Sequence, residues 1–226
     1  MIFVVQLLLL VFQFCIVLEM SFGRVMTTSI KHASTTLFVA SRADPASLNL
    51  FHSLVTQPIW SRIGTETDDG EVTMLAQNRL GEKFFLWLQS EPLLRLDHVD
   101  RLFASRFQEQ AADGVSDVVF LSKHSAKSGT RSLTVHPIGV PWLDDVEHTG
   151  GRPRRCVPPH PSIAGLYRRV DAEVKTQGLT ERFQVTMEAT HHGPYAEVPC
   201  CFVEIGSTEV DWDDREAGAI WAKCLV

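Results

Sequence analysis

Three runs of strand length are apolar almost without interruption: Lys83 to Leu88 (KFFLWL), Val115 to Leu121 (VSDVVFL) and Val198 to Ile205 (VPCCFVEI). A strand with one wet face alternates apolar and polar residues, so these runs predict a sheet covered on both faces. The segments between them suit the covering. Val99, Leu102, Phe103 and Phe107 recur at helical spacing within Val99 to Gln110. So do Ile163, Leu166, Tyr167, Val170 and Val174, after which Gly178 is placed to end the helix. Thr36 to Ala40 is a further strand, followed by Asp44-Pro45, where Asp caps a helix and Pro opens its first turn. Ser132 to His136 and Phe183 to Glu188 add two more strands, and Ser207 to Asp211 offers capping residues for a closing helix through Trp221. Strands alternating with helices predict an α/β fold, a mostly parallel sheet flanked by helices. Residues 56–80 carry Pro58, Gly64, Asp68, Asp69 and Gly70 with little periodicity and read as a loop with one short element at most.

With 226 residues, 45% hydrophobic and 21% charged, the chain suits one globular domain. A net charge of −6 excludes a global positive field, so any binding of a polyanion must rest on local basic patches. Five cysteines, odd in number and without a C-x-x-C pair, fit a reducing compartment, and a cytoplasmic location is expected. Ile2 to Leu18 is apolar apart from Gln6 and Gln13, yet no Lys or Arg precedes it and it is short for a membrane span. Membrane contact is expected only if this leader is a true anchor, and Arg24 and Lys31 after it would then keep the remainder cytosolic. The alternative is that Met20 or Met26 is the working start. Residues 1–34 are thus expected to lie outside the fold, and 35–226 to form the domain.

Polar residues gather at the carboxyl ends of the expected strands as Ser122-Lys123-His124, Thr134-Val135-His136 and Glu188-Ala189-Thr190-His191-His192-Gly193-Pro194. In open α/β sheets that edge binds ligands. After the last strand, Ser207 and Thr208 stand at a helix amino terminus whose free N–H groups suit an anion. A lone histidine after a strand is more often a surface or core residue than a ligand. The adjacent pair is more informative: in an extended chain His191 and His192 face opposite ways, so one can serve the site and the other support it. Glu188 and Glu204 close apolar runs, where a charge is costly without a partner. Imidazoles and carboxylates converging on one edge suit Zn²⁺, which lowers the pKa of bound water to about 7. A serine triad is less economical, although Ser122, Ser125 and Ser128 lie near His124; no Walker A loop, G-x-G-x-x-G or H-E-x-x-H occurs. Basic residues cluster at Lys123, Lys127 and Arg131, at Arg152, Arg154 and Arg155, and at Arg168 and Arg169, where arginines can grip phosphates or simply be solvated.

The stretches Val119 to His124 (VFLSKH), Leu133 to Gly139 (LTVHPIG), Glu188 to Pro194 (EATHHGP) and Phe202 to Glu209 (FVEIGSTE), in this order, resemble the signature series of the archaeal and plant D-aminoacyl-tRNA deacylases. The opening strand with Ala43 to Ser47 (ADPAS) is similar to that family's start, so the resemblance covers about Leu37 to Trp221. It implies hydrolysis of the ester between a D-amino acid and the terminal adenosine of tRNA, a step of translation quality control. It also implies zinc as cofactor and a fold related to peptidyl-tRNA hydrolase and phosphorylase-like domains. On this reading His191, His192, Glu188 and Lys123 are the candidate catalytic groups, and His124, His136 and Glu204 the metal ligands. Ser122, Thr190, Gly193, Ser207, Thr208, Arg154 and Arg155 would contact substrate. D-aminoacyl-tRNA is the expected partner, and no protein partner is expected. The sequence departs from the family in its apolar leader and in ending at Val226, where the family continues into a segment with a Gly-Gly-His-Tyr-type motif. The rival expectations are a catalytically impaired tRNA-binding isoform and a hydrolase of another tRNA ester or amide, such as peptidyl-tRNA.

Overall fold

The computed structural model describes residues 34–62, 72–78 and 81–226; the leader expected over 1–34 lies outside them but for Ser34. In chain order the elements are β1 (Thr35–Ser41), α1 (Pro45–Val55), β2 (Ser61–Arg62), β3 (Val72–Gln77), β4 (Lys83–Gln89), α2 (Val99–Arg106), β5 (Asp117–Lys123), β6 (Ser132–His136), α3 (Ile163–Thr176), β7 (Gln184–Met187), β8 (Cys200–Gly206), α4 (Glu209–Trp212) and α5 (Arg215–Leu225). A 3₁₀ turn, Leu93–Arg95, precedes α2. Among the described residues no helix is long and apolar enough to cross a membrane.

Local chemistry accounts for the helix boundaries. Asp44 caps α1 by accepting from the Ser47 N–H at 3.0 Å, and Pro45 costs nothing at a position whose N–H has no helical partner. On α3 the buried residues are Ile163, Leu166, Val170 and Val174, the expected stripe, and Gly178 follows at φ +71°. The closing helix comes in two pieces. Asp214 accepts from the Glu216 and Ala217 N–H groups and starts α5 afresh after the single turn of α4.

The strands form one sheet in the order β2-β3-β4-β1-β5-β8-β6-β7. The centre, β4-β1-β5-β8, is parallel throughout, as expected of an α/β fold. Three pairings are antiparallel. At one edge β3 pairs with β4, and β2 with β3, so the expected loop over 56–80 contains two strands. At the other, β6 runs antiparallel to β8, with Thr134 opposite Glu204 and His136 opposite Phe202, and β7 runs parallel to β6. β6 and β7 therefore run opposite to β5 and β8, and the carboxyl end of β6 lies beside the middle of β8, so the cluster is not built on one common carboxyl edge as expected.

Period-2 alternation divides the sheet into two faces. One presents Phe38, Ala40, Leu86, Leu88, Val119, Leu121, Leu133, Val135, Cys201, Val203 and Ile205 to α1, α3 and α5. The other presents Leu37, Val39, Phe85, Trp87, Val118, Phe120, Cys200 and Phe202. Its cover is Val99 and Phe103 of α2, with Ile138 and Val157 from the irregular segment 137–162. Ser122, Thr134, His136 and Glu204 share the parity of that second face, which places the polar cluster on the side with the least helix.

Candidate active site

Glu204 is the centre of the cluster. It is 2% exposed on the middle of the sheet, where an unpaired carboxylate would be very costly. Thr134 donates its hydroxyl to Oε2 at 2.8 Å. His124 Nδ1 lies 3.3 Å from Oε2, and His136 Nε2 3.5 Å from Oε1. Glu188, just past β7, brings its Oε2 to 3.5 Å from His124 Nδ1. Burial opposes ionisation of Glu204, but His124 and His136 outweigh it and hold the carboxyl well below its ordinary range. The contact with Glu204 in turn raises His124, and it raises His136 against a larger opposing effect of burial.

The second half of the cluster is three imidazoles. His136 stacks on His191 with ring centroids 4.0 Å apart and meets His192 edge-on at 4.8 Å; His191 and His192 are 4.4 Å apart. The extended geometry expected for His191-His192 does not hold. His192 has φ +39°, and this left-handed turn brings both rings against His136, with the His192 ring edge-on to Phe202. Each Nδ1 faces a backbone carbonyl: His136 that of Pro137 at 2.9 Å, His191 that of Ala189 at 2.8 Å and His192 that of Gly193 at 2.8 Å. A carbonyl only accepts, so each Nδ1 carries a hydrogen; Nε2 of His191 and of His192 is left for a ligand, while that of His136 faces Glu204 Oε1. Burial and the neighbouring His136 push His192 down to about 4, so at neutral pH it is uncharged with its lone pair free.

Both groups have the composition of a metal site. One ligand atom from each of His136, His191 and His192 falls within 4.8 Å of the others, and the same holds for His124, Glu188 and Glu204. Two further observations test the fit of zinc. His136 Nε2 and Glu188 Oε2 are buried without a hydrogen-bond partner, a state that buried polar atoms rarely keep unless something else satisfies them. Imidazoles whose Nδ1–H is tied to a carbonyl are also in the tautomer that metal-binding histidines adopt. The residues therefore fit the ion. His136 groups with His191 and His192, while the three expected ligands His124, His136 and Glu204 meet through the two oxygens of Glu204.

A cavity of about 450 Å³ opens onto the cluster, lined by His124, His191, His192, Glu204, Ser122, Lys123 and also Asp44. Asp44 was legible only as a helix cap. Its Oδ2 accepts from the Ser122 hydroxyl at 3.2 Å and the Lys123 N–H at 3.1 Å, which ties the start of α1 to the exit of β5. Burial raises its pKa against these bonds. The Lys123 ammonium rests 4.8 Å from the centroid of the Trp212 ring, whose N–H binds the His124 carbonyl.

The remaining expected contacts are placed differently. Ser207 gives its hydroxyl to the Thr130 carbonyl and its N–H to Asp211, and Thr208 gives both N–H and hydroxyl to Asp211, so these groups close a turn. Gly193 is required by close packing: a Cβ there would lie 2.0 Å from the Gly151 nitrogen. Thr190 is half-buried beside the histidines in sequence, with no hydrogen bond described. Arg154 is exposed and forked onto Asp144, at 2.6 and 3.0 Å, while Arg155 is exposed. Arg131 is held by Asp211, and Arg168 and Arg169 ride on α3 across the sheet, so the basic clusters do not converge.

A family model described as D-aminoacyl-tRNA deacylase matches residues 112–226, which contain all six members of the cluster. The chain is 35% identical over 189 residues to a D-aminoacyl-tRNA deacylase of Arabidopsis thaliana, covering 83% of this chain and 56% of the relative. It is 32% identical over 197 residues to one of Archaeoglobus fulgidus, covering 84% and 62% respectively. It thus spans about six-tenths of the length of these curated relatives. A crystal structure of a conserved protein of unknown function has the same fold, with a TM-score of 0.68 and 29% identity over 85% of this chain and 62% of that one. Motif order, fold and the match across half the chain agree: this chain belongs to the D-aminoacyl-tRNA deacylase family.

Proposed function

We propose that the cluster hydrolyses the ester joining a D-amino acid to the terminal adenosine of tRNA, adding water and releasing free tRNA and the D-amino acid. The observation that carries this reading is the set of three imidazoles, each with Nδ1 against a backbone carbonyl, whose ligand atoms come within 4.8 Å of one another beside a cavity that His191 and His192 line. His136, His191 and His192 would hold zinc. The ion supplies Lewis acidity and makes hydroxide available near neutral pH. His124, with Nδ1 against both Glu188 and Glu204, is placed to hold a proton and move it to the leaving ribose oxygen, and the two carboxylates keep its ring oriented. The cavity is of a size for an aminoacylated ribose rather than for folded RNA, so only the 3′ terminus need enter. Such a substrate arises where translation occurs, and four free cysteines among the described residues suit that reducing compartment, so we place the protein in the cytoplasm.

The test is release of radiolabelled amino acid from D- and L-aminoacyl-tRNA and from an N-blocked peptidyl-tRNA by this chain, before and after chelation and zinc add-back, with bound metal measured in parallel. Preferential release from the D-ester, lost with the metal and restored by zinc, is the expected result. A metal-free protein that cleaves none of the three would reduce the site to a binding scaffold.

A further inference from the structure

Four of the five tryptophans have an internal role: Trp87 and Trp221 are fully buried, and Trp60 and Trp212 pack against the core. Trp142 is the exception, 61% exposed in segment 137–162. The backbone there is fixed. Val140 N–H binds the Arg155 carbonyl at 2.8 Å, Val157 N–H the Ile138 carbonyl at 2.9 Å, and Arg154 N–H the Leu143 carbonyl at 3.1 Å, so 138–143 and 154–157 form a short ribbon. The ribbon is fastened to the histidine loop, because Gly139 N–H binds the His192 carbonyl at 2.9 Å. Three residues from Gly139, Trp142 is within about 10 Å of that anchor along the chain. Across the ribbon the exposed cations divide by use. Arg152 lies over the Tyr195 ring and Arg154 holds Asp144, which leaves Arg155 exposed without an ion pair among the described residues.

We infer that Trp142 and Arg155 form a docking surface for the single-stranded 3′ end of the RNA, Trp142 stacking on a base upstream of the terminal adenosine and Arg155 meeting a phosphate. This rests on the function proposed above and adds to it how the substrate is held. An isolated exposed ring on the same ribbon as an exposed guanidinium without an ion pair fits a nucleotide better than a protein partner, which would need a wider apolar patch. Here the neighbours are the exposed Pro141, Asp144 and Asp145. Stacking is also indifferent to base identity and needs no global positive charge, which suits a molecule of net charge −6.

The experiment titrates the intact chain with two RNA hairpins that carry no esterified amino acid, one ending in the single-stranded 3′ tail and one lacking it, and follows acrylamide quenching of tryptophan fluorescence. The tailed hairpin is expected to shield the exposed fluorophore. Trp142→Ala is expected to bind it about 5- to 100-fold more weakly, Trp142→Phe to recover most of the loss, and the tail-less hairpin to bind all three proteins alike. Equal binding of the tailed hairpin by Trp142→Ala, or unchanged quenching at saturation, would overturn the inference while ester hydrolysis by the unaltered chain left the proposed function standing. A chain that neither binds the tailed hairpin nor cleaves the ester would remove both.

Discussion

On the face under α1, α3 and α5, β5, β8 and β6 present only apolar side chains to the core, out to Leu121, Ile205 and Leu133. On the opposite face the same strands turn polar before they end: Phe120 gives way to Ser122 and Phe202 to Glu204, while β6 contributes Thr134 and His136. The difference follows the cover. Three helices seal the first face, and helices satisfy their own backbone groups and present apolar stripes, so a polar side chain beneath them would find no partner. The second face is roofed by one short helix, the irregular segment 137–162 and the loop between β7 and β8, and carbonyls of the last two (Pro137, Ala189, Gly193) are the partners of the imidazoles. One face is therefore a sealed apolar core, and the other carries the polar cluster.

That division can be broken by substitution. Leu50→Ala, on α1 and fully buried, is expected to cost about 2–5 kcal/mol in denaturant unfolding with turnover per folded molecule unchanged. His192→Ala, on the opposite face, is expected to lower turnover by at least about 10²-fold with little change in melting temperature. If Leu50→Ala altered turnover per folded molecule, or His192→Ala mainly lowered stability, the two faces would not be separable in this way.

A smaller effect sharpens the comparison at the rim, where polar groups serve structure. Asp211 is opposed by burial, yet Arg131, Thr208 and Ser207 hold its pKa below the ordinary 3.8. A carboxyl depressed in the fold contributes stability above its unfolded pKa, and that contribution is lost as pH falls through the folded value. Asp211→Asn should therefore cost about 1.5 kcal/mol between pH 5 and 8, with the deficit shrinking below about pH 4 and turnover unaffected. Melting curves of both proteins from pH 2 to 8 measure it; a deficit that persisted in acid would assign the loss to packing rather than charge.

The central strands and α3 were legible because burial on both faces, or a clean helical stripe, leaves a strong pattern. Strand β3 was not, since Val72–Gln77 lies in a stretch broken by glycine and aspartate, and an edge strand needs less apolar surface. The antiparallel turn of β6 had a readable sign: the eight residues 124–131 between β5 and β6 leave no room for the helical crossover that parallel strands need. The residue types of the site were visible from their motifs. Their grouping was not, because it depends on the left-handed backbone of His192 and on strand direction, and Asp44 joins the cavity through contacts 78 and 79 residues away in sequence.

Strand β8 follows every other described strand in the chain, yet it lies between β5 and β6 and is the sole hydrogen-bonded link between the two parts of the sheet. Until it inserts, β6 and β7 have no partner in the parallel half, and Glu204 is absent from between His124 and His136. Pairing between strands so distant in sequence is of the kind that forms slowly. It also means that, on a chain emerging from the ribosome, the cluster cannot assemble until residue 206 has been made and set between β5 and β6.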